Sequence, residues 1–261
     1  MKTTALIFTF LLLICGCNQQ EKKGYETDFN KYFSKYQGAF ILYDFNNRYY
    51  IRHNEEQCKK RFSPCSTFKI PNSLIGLETG VIPDENFTLK WDGVKHQIES
   101  WNRDHNLKSA IKNSVVWYYQ EVARRIGETR MKEYLNKIGY GNNDISGGID
   151  KFWLMSSLEI SAEEQVDFLK KFYMGQLPFS ERSLNIVQEI TILDSNKSYV
   201  FRGKTGSGVF PNGNDRLGWF IGYVTLGDNV FIFATNILGD DANGMKAKEI
   251  TIKILKSMRI M

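Results

Sequence analysis

A serine and a lysine lie three residues apart in Ser66-Thr67-Phe68-Lys69, where an irregular stretch gives way to an apolar segment with helical periodicity. Residues three apart share one face of a helix, so the two side chains can meet. A serine hydroxyl becomes a good nucleophile only when a neighbouring base takes its proton. The pattern therefore predicts covalent catalysis by Ser66 with Lys69 as the source of the base, at a helix start that favours an oxyanion.

Three more short motifs follow in order along the chain: Ser114-Val115-Val116, Tyr140-Gly141-Asn142 and Lys204-Thr205-Gly206. Their order and spacing resemble those of the serine penicillin-interacting enzymes. Ser-x-Val in second place and Tyr-Gly-Asn in third place make the chain similar to the class D β-lactamases (oxacillinases). The resemblance runs from about Phe40 to the C-terminus.

The lysine needs a special environment to act as a base. Its ordinary pKa is about 10.4, so at neutral pH it is an ammonium ion. Burial among apolar side chains penalises that charge and lowers the pKa, and a neutral amine can add carbon dioxide to become a carbamate. The resemblance implies such a carboxylated Lys69 as the general base of acylation and deacylation. Apart from this carbon dioxide, no cofactor and no metal is expected.

Candidate surroundings for a carbamate lie near the second and third motifs. The indole N–H of Trp153 can donate a hydrogen bond to a carbamate oxygen, and Val116 and Leu154 can exclude bulk water. A tryptophan taken alone is more often a core aromatic residue. Its place in Phe152-Trp153-Leu154, after the Tyr-Gly-Asn loop, favours the carbamate-stabilising role.

The remaining motif residues are expected to handle the substrate. The resemblance implies that Ser114 bridges Lys69, the nucleophile and the leaving-group nitrogen; a helix N-cap is its alternative role and is compatible with the first. Lys204 is expected on a cationic strand beside the substrate.

The resemblance also implies substrate contacts from Tyr140, Thr205, Gly206 and Ser207. The glycine lets a substrate backbone approach closely. The backbone N–H groups of Ser66 and Ser207 are expected to form the oxyanion hole.

One stretch departs from the family pattern. The family commonly places an arginine near the start of the last helix to pair with the substrate carboxylate, but residues 243–250 contain none. Lys248 or Lys246 can serve instead, as a point charge rather than a bidentate fork, and Arg216 is a less favoured substitute. This departure bears on affinity and substrate range and not on the type of reaction.

Strands are predicted at both ends of the chain and helices between them. A hairpin is expected over Gly38–His53, with Asn46-Asn47 at its turn. The other predicted strands are Tyr199–Lys204, Leu217–Thr225 and Val230–Asn236, and the predicted helices cover 66–80 (broken or bent near Pro71), 114–126, 161–173, 180–191 and the last twenty residues. We predict an α/β fold of the α+β type: a mostly antiparallel sheet of N- and C-terminal strands, flanking helices and an inserted helical lobe.

Composition limits the other possibilities. The 261 residues are 42% hydrophobic, which suits a single catalytic domain, expected over 31–261 after a tether at 18–30. The net charge of +5 is interspersed with acids, which disfavours nucleic-acid binding. Scattered histidines and the lack of a Cys-x-x-Cys pair disfavour zinc.

Residues 1–17 predict export, because Lys2 precedes the apolar run Ala5–Ile14, which is too short for a standard membrane span. Ile14-Cys15-Gly16-Cys17 resembles a bacterial lipobox, in which the last cysteine is lipidated after cleavage. A plain secretory signal is the alternative. We expect a periplasmic protein anchored to the membrane as a lipoprotein through Cys17.

Two cysteines, Cys58 and Cys65, remain after the signal segment. They lie seven residues apart in a chain expected in an oxidising compartment, so they form either a disulfide or two free or buried thiols. Sequence spacing leaves both alternatives open.

Together these features predict an exported serine β-lactamase that acts on small-molecule β-lactams and confers resistance to them. A penicillin-sensor domain is the first alternative, disfavoured because sensors are fused to membrane spans and this chain offers only an export signal. A cell-wall D-Ala-D-Ala transpeptidase or carboxypeptidase is the second, disfavoured because Val116 stands where those enzymes usually have asparagine.

We expect the Cys17→Ser variant to leave the membrane fraction or to remain unprocessed, whereas Cys15→Ser should stay membrane-bound. Stable anchoring needs more than one acyl chain, each contributing about 0.8 kcal/mol per buried methylene, and a lipoprotein carries several. Membrane fractionation and the mass of the mature N-terminus measure the effect. A wholly soluble wild-type protein that begins beyond Cys17 would contradict the anchor and leave the catalytic interpretation intact.

Overall fold

The computed structural model describes residues 28–211, 213 and 215–261. The expected signal segment at 1–17, with Cys17, and residues 18–27 of the tether lie outside these residues. Among the described residues, no helix combines the length and apolar character that crossing a membrane requires.

Helices make up the middle of the chain and close its C-terminal end. In chain order they are α1 (Asn30–Phe33), α2 (Glu55–Lys59), α3 (Lys69–Glu78), α4 (Leu107–Lys112), α5 (Val116–Ile126), α6 (Glu128–Ile138), α7 (Ala162–Tyr173), α8 (Glu181–Ile190) and α9 (Gly244–Ser257). Two short 3-10 helices cover Cys65–Phe68 and Glu99–Trp101.

Strands from both ends of the chain form the main sheet. The strands are β1 (Gln37–Asp44), β2 (Tyr49–His53), β3 (Thr88–Leu89), β4 (His105–Asn106), β5 (Ile192–Ser195), β6 (Tyr199–Val209), β7 (Arg216–Leu226) and β8 (Asn229–Gly239). The main sheet has six strands in the order β2-β1-β8-β7-β6-β5, and its pairs are antiparallel. The predicted fold class is confirmed, because the N-terminal hairpin pairs directly with β8.

The central strand β7 shows how the sheet divides the core. Successive side chains of a strand point to opposite faces. Trp219 and Ile221 belong to the core cluster on the side of the helical lobe, whereas Phe220 and Val224 pack in the cluster that α9 covers. The strand is therefore buried on both faces, and the sheet forms a middle layer between α9 and the lobe.

The start of the helix after Ser66 differs from the prediction. Residues 65–68 form a 3-10 helix before α3, and α3 then runs without a break from Lys69 to Glu78. Pro71 is the third residue of α3. Proline has no backbone N–H, and it is tolerated in the first turn because N–H groups there have no partner within the helix. A break at Pro71, one of the two predicted forms of disruption, is therefore wrong. The predicted capping box is confirmed at the start of α7, where Ser161 and Glu164 bond reciprocally.

Candidate active site

The predicted nucleophile lies in the 3-10 helix that leads into α3. Ser66 is partly exposed although its neighbours Cys65 and Thr67 are buried. A hydrogen bond of 2.9 Å runs from Lys69 Nζ to Ser66 Oγ, so the predicted meeting of these two side chains is confirmed. This geometry suits proton transfer, for which a base must lie about 2.6–3.2 Å from the group it deprotonates.

Lys69 is fully buried. Burial, and then the positive charge of Lys204, lower the pKa of Lys69 well below its ordinary value. Lys69 Nζ lies 5.2 Å from the centroid of the Tyr119 ring. Burial and the charge of Lys204 both shift the equilibrium toward the neutral amine, which is the form that can add carbon dioxide.

A second serine and lysine meet beside the first pair. Lys204 Nζ donates hydrogen bonds to Ser114 Oγ at 3.0 Å and to the carbonyl oxygen of Thr205 at 2.8 Å. Burial lowers the pKa of Lys204 to about 7, so this amine changes its charge near neutral pH. The contact joins the end of the helical lobe to the sheet, because Ser114 precedes α5 and Lys204 lies on β6.

The predicted N-cap role of Ser114 is wrong. The residue has a φ of 54°, in the left-handed region, and α5 begins after Val115, which makes no side-chain cap. Its hydroxyl is thus directed by the backbone toward Lys204 rather than toward the helix. Val116, the first residue of α5, is partly buried.

β6 passes directly against the nucleophile segment, and a glycine makes this possible. A Cβ atom at Gly206 would lie 2.9 Å from the carbonyl oxygen of Pro64 and 3.3 Å from the backbone nitrogen of Ser66. Any larger residue would push the strand and the 3-10 helix apart. Ser207, the next residue, is exposed, and its hydroxyl accepts a hydrogen bond from the Gly244 N–H at 2.9 Å.

The Tyr-Gly-Asn motif closes the loop that carries Trp153. Asn142 Nδ2 donates to the Ser157 carbonyl oxygen at 2.8 Å, and Asn142 Oδ1 accepts from the Glu159 N–H at 3.0 Å. Gly141 has a φ of 59°, and a Cβ there would lie 2.0 Å from the Glu159 carbonyl oxygen. Two residues of the motif therefore fix the base of the loop.

Trp153 is fully buried, and its ring stacks on that of Phe68, the residue before Lys69, at 5.4 Å between centroids. Its indole N–H has no hydrogen-bond partner among the described residues. A buried donor without a partner costs about 1–3 kcal/mol, so native proteins keep few of them. The indole N–H of Trp153 is therefore free to donate to an acceptor that the protein itself does not supply among the described residues.

Comparison with known proteins agrees with this geometry. A family model of the penicillin-binding protein transpeptidase domain matches residues 27–256. The chain is 46% identical over 219 residues to the probable β-lactamase YbxI of Bacillus subtilis, covering 84% of this chain and 80% of that protein. It is 43% identical to the β-lactamase OXA-48 of Klebsiella pneumoniae, covering 93% and 90%. The structure of the class D β-lactamase BAT-2 matches with a TM-score of 0.85 and 44% identity, over 90% and 97%.

The chain belongs to the class D β-lactamase family. It is therefore a serine hydrolase of the penicillin-interacting superfamily. The chain is also 40% identical to the regulatory protein BlaR1 of Bacillus licheniformis, over 90% of this chain but 39% of that protein.

Tyr140 was predicted to contact the substrate, but the structure places it in the core. Its side chain is fully buried, and its ring packs edge-on against Phe68 at 5.7 Å. Its hydroxyl donates to Gln165 Oε1 at 3.3 Å, and Gln165 Nε2 donates to Thr67 Oγ1 at 3.0 Å. This position lies behind the nucleophile and does not suit direct contact with a substrate.

Gln165 is a residue that sequence reasoning missed. It is fully buried on α7 among apolar residues such as Val166 and Leu169. A polar residue on the apolar face of a predicted helix was the available signal, because buried amides need partners. The partner, Thr67, lies 98 positions away along the chain and was not visible from spacing.

The candidate lysines for the substrate carboxylate lie in different surroundings. Lys246 forms a salt bridge with Asp241. Lys248 lines a cavity of about 470 Å³ together with Lys204 and Thr205. Lys248 is therefore the better placed of the two, and Arg216 is exposed at the start of β7.

Cys58 and Cys65 are both free and buried. Burial raises the pKa of Cys58 to about 12 and that of Cys65 to about 11, so both are thiols at neutral pH. Of the two alternatives, free buried thiols match the structure. In the described part of the chain, no group of histidine, cysteine and acidic residues could hold a metal ion.

We expect Gly206→Ala to slow acylation of Ser66 by at least an order of magnitude, because the added Cβ would press on backbone atoms that cannot move aside cheaply. Stopped-flow measurement of the acylation burst tests this. Ser195→Ala is the control, because Ser195 is exposed at the end of the edge strand β5 and the change adds no atom there. Equal burst rates for the Gly206→Ala variant and the wild type would show that the close approach of β6 has no functional role.

Proposed function

We propose that this protein hydrolyses penicillins and related β-lactams through an acyl-enzyme on Ser66, with a carboxylated Lys69 as the general base. The observation that carries the proposal is that Lys69 is buried with a lowered pKa while the buried indole N–H of Trp153 has no partner among the described residues. Bound carbon dioxide would supply a carboxylate that accepts a proton near neutral pH.

The residues of the chain perform the bond changes in two stages. Ser66 Oγ loses its proton and attacks the lactam carbonyl carbon, and the C–N bond of the ring breaks. The ring nitrogen receives a proton by way of Ser114, whose hydroxyl is bonded to Lys204 at 3.0 Å. A water molecule, deprotonated at the Lys69 site, then cleaves the ester and frees Ser66.

Substrate positioning rests on β6 and α9. The backbone N–H groups of Ser66 and Ser207 are proposed to hold the carbonyl oxygen as negative charge develops on it. Lys248 is proposed to hold the carboxylate of the substrate, supported by its place beside Thr205 in the same cavity. As a point charge it holds this group with less directional control than an arginine.

We also propose export of the protein to the periplasm and lipid attachment at Cys17, on the lipobox-like sequence alone. In that compartment the enzyme would meet β-lactams before they reach the cell wall. Antibiotic resistance is the expected consequence.

A sensor role is the second candidate, favoured by the similarity to BlaR1. A sensor keeps its acyl group, whereas a β-lactamase releases it. We expect the pure protein to turn over a chromogenic cephalosporin many times, because a general base that serves both stages is available. The stoichiometry of colour release measures this, and arrest after one equivalent per protein would favour the sensor.

We expect the Lys69→Ala variant to accumulate a stable acyl adduct and to lose steady-state turnover. Loss of a general base costs about 10²–10⁴-fold for each step it serves, and here the deacylation base would be gone. Mass spectrometry of the intact protein detects the adduct, with Ser66→Ala as the control that cannot acylate. Unchanged hydrolysis by Lys69→Ala would overturn the proposed mechanism.

A further inference from the structure

The hydroxyl of Ser63, three residues before the nucleophile, both donates and accepts a hydrogen bond. Its side-chain hydroxyl donates to the carbonyl oxygen of Trp153 at 2.9 Å and accepts from the backbone N–H of Met155, also at 2.9 Å. The hydroxyl is buried, with the residue only 6% exposed. One side chain therefore holds the backbone on both sides of Leu154.

Ser63 is itself fixed to the sheet and to the loop. Its carbonyl oxygen accepts from the indole N–H of Trp219 on β7 at 3.0 Å. Next to it, the backbones of Phe62 and Ile160 exchange two hydrogen bonds of 2.9 and 3.0 Å. Ser63 is thus held by the sheet and by neighbouring backbone, and it in turn holds the backbone of the Trp153 loop.

The loop needs such a point. Met155 has a φ of 52°, in the left-handed region that a residue with a side chain adopts only when its surroundings hold it there. The Trp153 ring is held in turn by stacking on Phe68 and by the edge of Phe152, 4.9 Å away between centroids. Backbone bonds and ring packing together determine where the unpartnered indole N–H is directed.

We propose that Ser63 is a positioning residue that aims the Trp153 N–H at the group carried by Lys69. The inference rests on the proposed function, since it takes a carbamate as that group. Ser63 touches neither the substrate nor the reacting atoms and acts through Trp153. Its loss should weaken the retention of carbon dioxide on Lys69 more than it affects any other step.

A purely structural role for Ser63 would give a different result. Carbon dioxide adds reversibly to an amine, so a variant that binds it weakly regains activity when its concentration is raised. A variant that remains folded, as circular dichroism shows, and is damaged elsewhere does not recover in this way. The dependence of activity on bicarbonate therefore separates positioning from general damage.

The test compares Ser63→Ala with two other variants. For Ser63→Ala, the bicarbonate concentration that gives half of maximal kcat should rise by about 10-fold to 100-fold. This is the range seen in metal sites when a residue that orients a metal ligand by a hydrogen bond is lost. Trp153→Phe, which removes the donor and keeps a ring, should shift in the same direction. Thr251→Val removes a buried hydroxyl that bonds Ala247 and Thr235 far from the loop and should match the wild type.

A second measurement is independent of turnover. With ¹³C-labelled bicarbonate, the carbamate carbon gives an NMR signal whose intensity against concentration reports carbon dioxide binding directly. If Ser63→Ala does not fold, as judged by circular dichroism, Ser63→Cys takes its place, because a thiol fills the space and is only a weak donor and acceptor.

The outcomes distinguish a failure of the proposed function from a failure of the positioning role of Ser63. A wild-type protein without a carbamate signal and without bicarbonate dependence would overturn the proposed function. A wild-type signal with an unshifted bicarbonate curve in the Ser63 variant would overturn the positioning role and leave the proposed function standing. Reduced activity that saturating bicarbonate fails to restore, with a normal carbamate signal, would also overturn it.

Discussion

Burial of the Lys69 amine is the constraint on which the rest of the site depends. An ammonium ion without exposure to water is strongly disfavoured, and Lys204 adds a second positive charge nearby. The site is most stable when Lys69 is uncharged or carries a group that neutralises it. The proposed carbamate is such a group, and the buried indole N–H of Trp153, without a partner among the described residues, is the donor proposed to hold it. The proposed role of Lys69 as a base thus depends on the removal of this one lysine from water.

The scaffold keeps this arrangement by storing strain around it. Cys65, Ser114 and Met155 have φ angles of 50°, 54° and 52°, although none is glycine. Such positions cost of order 1–3 kcal/mol each and persist only where surrounding contacts fix them. Cys65 precedes the nucleophile, Ser114 is the second serine of the site, and Met155 lies in the loop that carries Trp153. The contacts that fix them come from the sheet, from Ser63 and from the Lys204–Ser114 hydrogen bond.

Sequence reasoning succeeded where a local pattern has one physical solution. The Ser161–Glu164 capping box and the strands Leu217–Thr225 and Val230–Asn236 were placed correctly because capping and pleating act over a few residues. The predicted strand Tyr199–Lys204 was too short, since β6 continues to Val209. Pro71 and Ser114 were misjudged for the opposite reason. Whether proline breaks a helix depends on where the first turn begins, and whether serine caps depends on its φ, and tertiary contacts set both.

The types and the order of the reactive residues, and thereby the family, were determined by the sequence alone. Only the tertiary structure decided their burial and their neighbours: Tyr140 is a core residue, and Lys248 lines the cavity that Lys204 and Thr205 also line, whereas Lys246 pairs with Asp241. It also revealed the long-range bonds of Gln165 and Ser63. The physical reason is that a motif specifies chemistry through residue type, whereas burial, direction and hydrogen-bond partners come from segments about 90 or more positions away.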